Sequence, residues 1–153
     1  MSATALDAKD DRLLTVPPNF AVDALAAQLD EAGQPGAIVV DEAGTVLGVV
    51  TEMDLVFRNK NVHLPTIVAI LDAVVEIDPG GRAKAELKKA TASTVADLMT
   101  RGVVSASPTT PLSDVADWMV DRGLSMVPIL DEGRLVGVVT RRSAMRAAFR
   151  HTD

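Results

Sequence analysis

Apolar residues recur along this chain with two different periods. Val22, Leu25, Ala26 and Leu29 follow the i, i+3, i+4, i+7 spacing of a helix with one apolar face, and Leu112, Val115, Ala116 and Met119 do so again. Gly33 and Gly123 stand where each helix should stop, Asn19 and Thr110 are the expected N-caps, and Pro111 suits a first helical position. Short runs of β-branched and aliphatic residues flank these helices, at 14–16, 37–41 and 46–50 and again at 103–106, 127–130 and 135–139. In each set the last two runs are separated by an Asp-Glu stretch with a glycine, the mark of a tight turn. A further helix is expected after Thr51 and after Thr140.

The two sets are copies of one another. Pro35-Gly-Ala-Ile-Val-Val-Asp-Glu42 falls on Ser125-Met-Val-Pro-Ile-Leu-Asp-Glu132 at an offset of 90 residues. After the turn the offset becomes 89, so that Gly44-Thr-Val-Leu-Gly-Val-Val-Thr51 matches Gly133-Arg-Leu-Val-Gly-Val-Val-Thr140 with one residue lost. Backwards, the offset of 90 still pairs Thr15 with Ser105, Pro18 with Pro108 and Gly33 with Gly123. A β-α-β-β-α unit of this size leaves one apolar sheet face open, so each copy needs the other to cover it. The expected fold is therefore α+β, with two tandem β-α-β-β-α repeats packed on one another. The boundaries read as a tail over 1–12, a first repeat over 13–58, a helical insert over 59–93 and a second repeat over 94–150. The insert has no counterpart in the second copy; it carries an apolar helix near 64–75 and a charged one near 83–90, expected to pack on the module or at a subunit contact.

Composition narrows the function classes. The chain has no cysteine and two histidines, His63 and His151, which removes thiolate chemistry and most metal sites and fits a reducing, cytoplasmic setting. Its start is small and acidic, without the basic and apolar stretches of a secretory signal. The apolar run at 65–75 contains Asp72 and falls well short of the roughly 20 residues that span a bilayer. A net charge of -6 with 3% aromatic residues disfavours a nucleic-acid backbone as partner. No phosphate-binding Gly-x-x-x-x-Gly-Lys loop, nucleophile elbow or metal cluster stands in the sequence, so no enzyme, catalytic residue or catalytic cofactor is expected.

Thr51-Glu-Met-Asp54 lies where a strand hands over to a helix and has the form of a capping box. The same geometry, with free amides and the positive end of a helix, also suits a phosphate, so both readings stand. Arg142, Arg146 and Arg150 share one face of the last helix, which suits phosphate, an acidic partner surface or plain solvent. Trp118 faces Gln28 in the alignment, and a ring present in one copy only points to a dimer contact or to space beside the insert.

Gly48-Val-Val-Thr51-Glu-Met-Asp54, Gly137-Val-Val-Thr140, Val95-Ala-Asp-Leu-Met-Thr100 and Val127-Pro-Ile-Leu-Asp131, in this order and doubled, resemble a cystathionine-beta-synthase (CBS) domain pair, or Bateman module, over about residues 13 to 150. The resemblance implies two repeats packed about a pseudo-twofold axis, two clefts between them that take AMP, ADP, ATP or S-adenosylmethionine, a homodimer, and a regulatory action on an effector protein in trans. It makes Asp54 a ribose ligand and Thr51 a phosphate contact. Ser143 stands where the family pattern has aspartate, which weakens a second ribose contact, while Thr140, Arg141 and Arg142 would favour phosphate there. By the same similarity the adenine slots fall to Thr15, Gly36 and Ala37 in the first repeat and to Val104, Ser105, Met126 and Pro128 in the second. The competing reading is a protein-interaction or dimerisation module whose clefts are vestigial.

Overall fold

Residues 2–58 and 94–150 are described in the computed structural model of the chain; the expected insert helices, His63 and His151 lie outside them. The first repeat runs β1 (Thr15–Val16), α1 (Val22–Ala32), β2 (Gly36–Val40), β3 (Val46–Thr51) and α2 (Glu52–Arg58). After a short helix α3 (Val95–Leu98), the second runs α4 (Leu112–Arg122), β4 (Met126–Asp131), β5 (Arg134–Thr140) and α5 (Arg141–Arg150). β1 pairs parallel with β2, and β2 antiparallel with β3; β4 pairs antiparallel with β5. The strand expected at 103–106 is reduced to one parallel bridge, Ala106 to Ile129, fastened by Ala106 N–H to Pro128 O at 2.9 Å and Leu130 N–H to Ala106 O at 2.8 Å.

Gly33 and Gly123 end their helices with φ of 64° and 63°, where a side chain would be strained. The N-termini differ from expectation. The caps are Ala21 and Pro111, neither with a side-chain bond, while the Thr110 hydroxyl accepts the Ser107 N–H instead, at 2.9 Å. At α4 a backbone carbonyl does the capping: Leu112 N–H donates to Ala3 O at 2.9 Å.

Strand alternation sorts the apolar side chains into three clusters. Ala37, Val39 and Val50 face α1 and join Val22, Leu25 and Leu29; Val127, Ile129 and Val139 face α4 and join Leu112, Val115 and Met119. The opposite faces, Ile38 and Val49 against Met126 and Val138, form a third cluster that joins the repeats. Each fully buried side chain of this kind contributes about 1.5–3 kcal/mol, so neither sheet is stable with that face in water. Trp118, partly buried, packs on the second cluster.

The segment that leads into each repeat packs on the other one. Ala5 and Ala8 are buried in the second core, and Ala5 N–H bonds Thr110 O at 2.8 Å while Asp10 N–H bonds Val138 O at 2.8 Å. Val95, Leu98 and Met99 are buried in the first core, and Val49 and Thr100 exchange backbone bonds of 3.0 and 2.8 Å. Gly48 and Gly137 make this crossing possible. A Cβ on Gly48 would stand 2.8 Å from Met99 Sδ and from Thr100 O, and one on Gly137 would collide with the Lys9 side chain. The repeated glycine thus leaves room for the incoming segment in both halves.

Candidate functional site

The crossed packing leaves a cleft beside each strand-to-helix junction. The first, about 320 Å³, brings Thr51 and Asp54 of the first repeat against Val103, Val104, Leu124 and Met126 of the second. The second, about 240 Å³, brings Thr140, Arg141 and Arg142 against Arg12, Gln34 and Asp10. The two are related by the duplication: Leu124 and Gln34, and likewise Gly102 and Arg12, are pseudo-equivalent at the offset of 90.

Both junctions are capping boxes. Thr51 N–H donates to Asp54 Oδ2 at 2.9 Å and the Thr51 hydroxyl lies 3.3 Å from the same oxygen. At the second junction Thr140 N–H donates to Ser143 Oγ at 2.8 Å and Ser143 N–H to Thr140 Oγ1 at 3.1 Å, both side chains being buried. Serine therefore keeps the capping function of the acid while removing its charge. Ser143 also donates its hydroxyl to Thr140 O at 3.1 Å, so its oxygen is committed to the backbone.

The remaining candidate residues are dispersed. Ala37 is wholly buried in the first core, and Gly36 is buried where a Cβ would press on Val50 O and on Met126 Sδ. Pro128 is fully buried, Ser105 is exposed, and Thr15 lines a separate depression with Asn19 and Asp41. Asp10, Arg12, Gln34, Arg122 and Leu124 line the clefts without having been singled out by sequence. Gln34 carried a usable signal, a polar residue at the position where the other copy has leucine.

Asp10 has a distinctive balance of forces. Burial pushes its pKa up, but the Arg12 N–H bond at 3.0 Å, the Arg12 guanidinium at 3.5 Å and the Gln34 amide together hold it below the ordinary 3.8. A carboxyl depressed in the folded state stabilises above its unfolded pKa and loses that contribution as pH falls through the folded value. Asp10→Asn should therefore lower the urea midpoint at pH 7 and narrow the gap to wild type towards pH 3; an equal gap at both would remove the carboxylate from this account.

Among the described residues no group of three or more His, Cys, Asp or Glu side chains could hold a metal ion, and no helix is long and apolar enough to cross a membrane.

A sequence profile of the CBS domain matches residues 7–65 and 95–150. The uncharacterized protein MJ1426 of Methanocaldococcus jannaschii is 33% identical over 122 residues, which are 73% of this chain and 71% of that protein. The chloroplastic CBS domain-containing protein CBSX2 of Arabidopsis thaliana is 28% identical over 148 residues, 90% of this chain but 59% of its own length. The solved structure of CBSX2 in complex with AMP superposes with a TM-score of 0.78 at 25% identity, covering 98% of this chain and 99% of that one. The CBS domain pair of MJ0100, in complex with 5'-methylthioadenosine and S-adenosyl-L-methionine, shares the fold with a TM-score of 0.70 at 21% identity over the full length of both chains. A duplicated sequence, two sheets joined face to face and two related clefts are accounted for together: this chain belongs to the CBS-domain family, as a CBS-domain pair.

Proposed function

We propose that the protein is a regulatory module that binds an adenine nucleotide of the AMP, ADP or ATP class in its first cleft and leaves it chemically unchanged. The observation that carries this reading is the meeting, in one cleft, of the Thr51 and Asp54 junction with the apolar Val103, Val104 and Met126 of the other repeat. A carboxylate one turn into a helix suits the two hydroxyls of a ribose, the threonine hydroxyl suits a phosphate, and the aliphatic wall suits the base. The AMP complex of CBSX2 supports the choice of ligand, and S-adenosylmethionine is the alternative adenosine ligand. Because both repeats line the cleft, a bound ligand would bias how they pack, and an effector protein in trans would read that bias.

Thermal unfolding against AMP, ADP, ATP, GTP, NAD and S-adenosylmethionine tests this. A ligand held only by the native state at a hundred times its Kd adds about 2.7 kcal/mol. Asp54→Ser removes the carboxylate while preserving the cap that Ser143 forms in the other repeat. The expected result is a rise with one adenine ligand, absent in Asp54→Ser, with the ligand recovered intact by chromatography. No rise with any of them would leave a second reading, an interaction or homodimerisation module. Met53, Val56, Met145 and Phe149 favour it, at 69%, 60%, 53% and 72% exposure on α2 and α5.

A further inference from the structure

The two clefts occupy equivalent places and share Thr51 with Thr140 and Gly123 with Gly33, but their linings differ at other equivalent positions. Where the first has Thr100, Gly102 and Leu124, the second has Asp10, Arg12 and Gln34; where the first has Met53 and Asp54, the second has Arg142 and Ser143. Across these positions the second cleft loses apolar wall and the ribose-reading carboxylate and gains cations and a polar amide, together with the carboxylate of Asp10.

Two observations give this difference a ligand. Gln34 is 2% exposed and lines the cleft, yet its Nε2 has no hydrogen-bond partner; it reaches towards Asp10 without completing a bond. A buried donor left unspent marks a place for an acceptor. The same cleft is lined by Arg12, Arg141 and Arg142, with Asp10 and Glu52, at the N-terminus of the ten-residue helix α5, and Arg141 Nε donates to Leu124 O at 3.2 Å. Beyond Asp10 and Arg12, which wall both spaces, a further groove of about 470 Å³ carries Arg146 and Arg150 on one helix, with Asp7 and a Lys9–Asp11 ion pair of 3.2 Å also in its lining.

We propose that the second cleft is a phosphate-chain site, which takes an anion of two or more linked phosphoryl groups and does not read a nucleoside. Gln34 Nε2 donates to one phosphoryl oxygen, Arg142 and Arg12 hold the chain electrostatically, and Arg146 and Arg150 extend the path for a longer chain. Ser143, spent on its cap, offers no carboxylate to a ribose, and Arg12, Arg141 and Arg142 outnumber Asp10 and Glu52 in the lining. The chain is supplied free, as a linear polyphosphate, or as the tail of a nucleotide. The proposal extends the reading of the pair as a ligand-binding module and makes its two clefts chemically distinct.

The duplication supplies the test variants, because each side chain can be exchanged for the one the other copy carries. The full chain is titrated with sodium tripolyphosphate, with AMP and with ATP at constant ionic strength, against sulfate as control, by calorimetry and thermal unfolding. Tripolyphosphate should bind the wild-type protein, and Gln34→Leu and Arg142→Met should each weaken it at least tenfold without altering AMP. Asp54→Ser should abolish AMP binding and spare tripolyphosphate. If ATP binds two per chain and tripolyphosphate displaces one, the nucleotide tail is a source; if it binds one, the chain is taken free. Since Arg142 is exposed, Arg142→Met reports even if Gln34→Leu unfolds. No tripolyphosphate binding beyond that of sulfate, or binding indifferent to both exchanges, overturns the site. A wild-type protein that binds tripolyphosphate but not AMP would overturn the first-cleft reading and leave this one standing.

Discussion

Gly36→Val should destabilise the protein by about 3 kcal/mol or more, which for a chain of this size lowers Tm by roughly 6–12 °C. Gly36 pairs with Thr51 across β2 and β3, and its missing side chain is the space into which its pseudo-equivalent residue, Met126, inserts. A Cβ there would press on Val50 O and stand 2.8 Å from Met126 Sδ. The thioether can move aside, but the carbonyl belongs to a paired strand. Adding Met126→Ala should therefore recover only part of the loss. A urea midpoint unchanged in Gly36→Val would contradict the close approach of the two repeats at this point.

The second large effect is expected from deleting residues 2–9. The deletion removes Ala5 and Ala8 from the second core and the bonds Ala5 N–H to Thr110 O, Leu6 N–H to Pro108 O and Leu112 N–H to Ala3 O, of 2.8, 3.2 and 2.9 Å. At about 1 kcal/mol net for each bond, the expected loss is on the order of 3 kcal/mol. The loss should fall on the second repeat first, so amide exchange in α4 and β5 should accelerate more than in α1 and β2. Equal acceleration in both halves, or none, would mean that the segment contributes nothing specific to the core it lies on.

Most of the architecture was legible because the two copies are written with the same periods. The helices at Val22–Ala32 and Leu112–Arg122 and their terminal glycines follow directly from apolar spacing, and the hairpins from the aligned runs around Asp41 and Asp131. The leading segments were not legible. Ala5 and Ala8 are too small and too closely set among Asp7, Lys9 and Asp10 to read as core, and only their partners reveal them as such. Yet Thr4-x-x-Asp7 repeats as Thr94-x-x-Asp97 at the offset of 90, and in both the threonine hydroxyl lies against the aspartate, at 3.1 and 3.5 Å. The duplication therefore starts earlier than the strand-helix pattern alone suggests.

For the site, pattern located the junctions but not their opposite walls. Thr51, Asp54, Val104 and Met126 do meet in one cleft, and Thr140, Arg141 and Arg142 line the other. Asp10 and Arg12 reach the second cleft only because the chain ahead of β1 crosses to the far repeat, and Gln34 only because the two repeats pack on each other, non-local placements that no window of sequence contains. The missed caps have the same origin, since α4 takes a carbonyl from residue 3 rather than a side chain from its own approach.

That crossing also sets the order in which the molecule can be completed during synthesis. The first repeat emerges from the ribosome without Val95, Leu98 and Met99, which fill its core only after the whole intervening stretch has been translated. Residues 3–10 emerge before the repeat they pack on and must wait for Val115, Ile129 and Val139 before they find their place. Each half draws part of its core from the other, so the first repeat carries exposed apolar sheet until the second has been made. Folding of the two repeats as one cooperative unit, rather than autonomous folding of the first, is what such an arrangement favours.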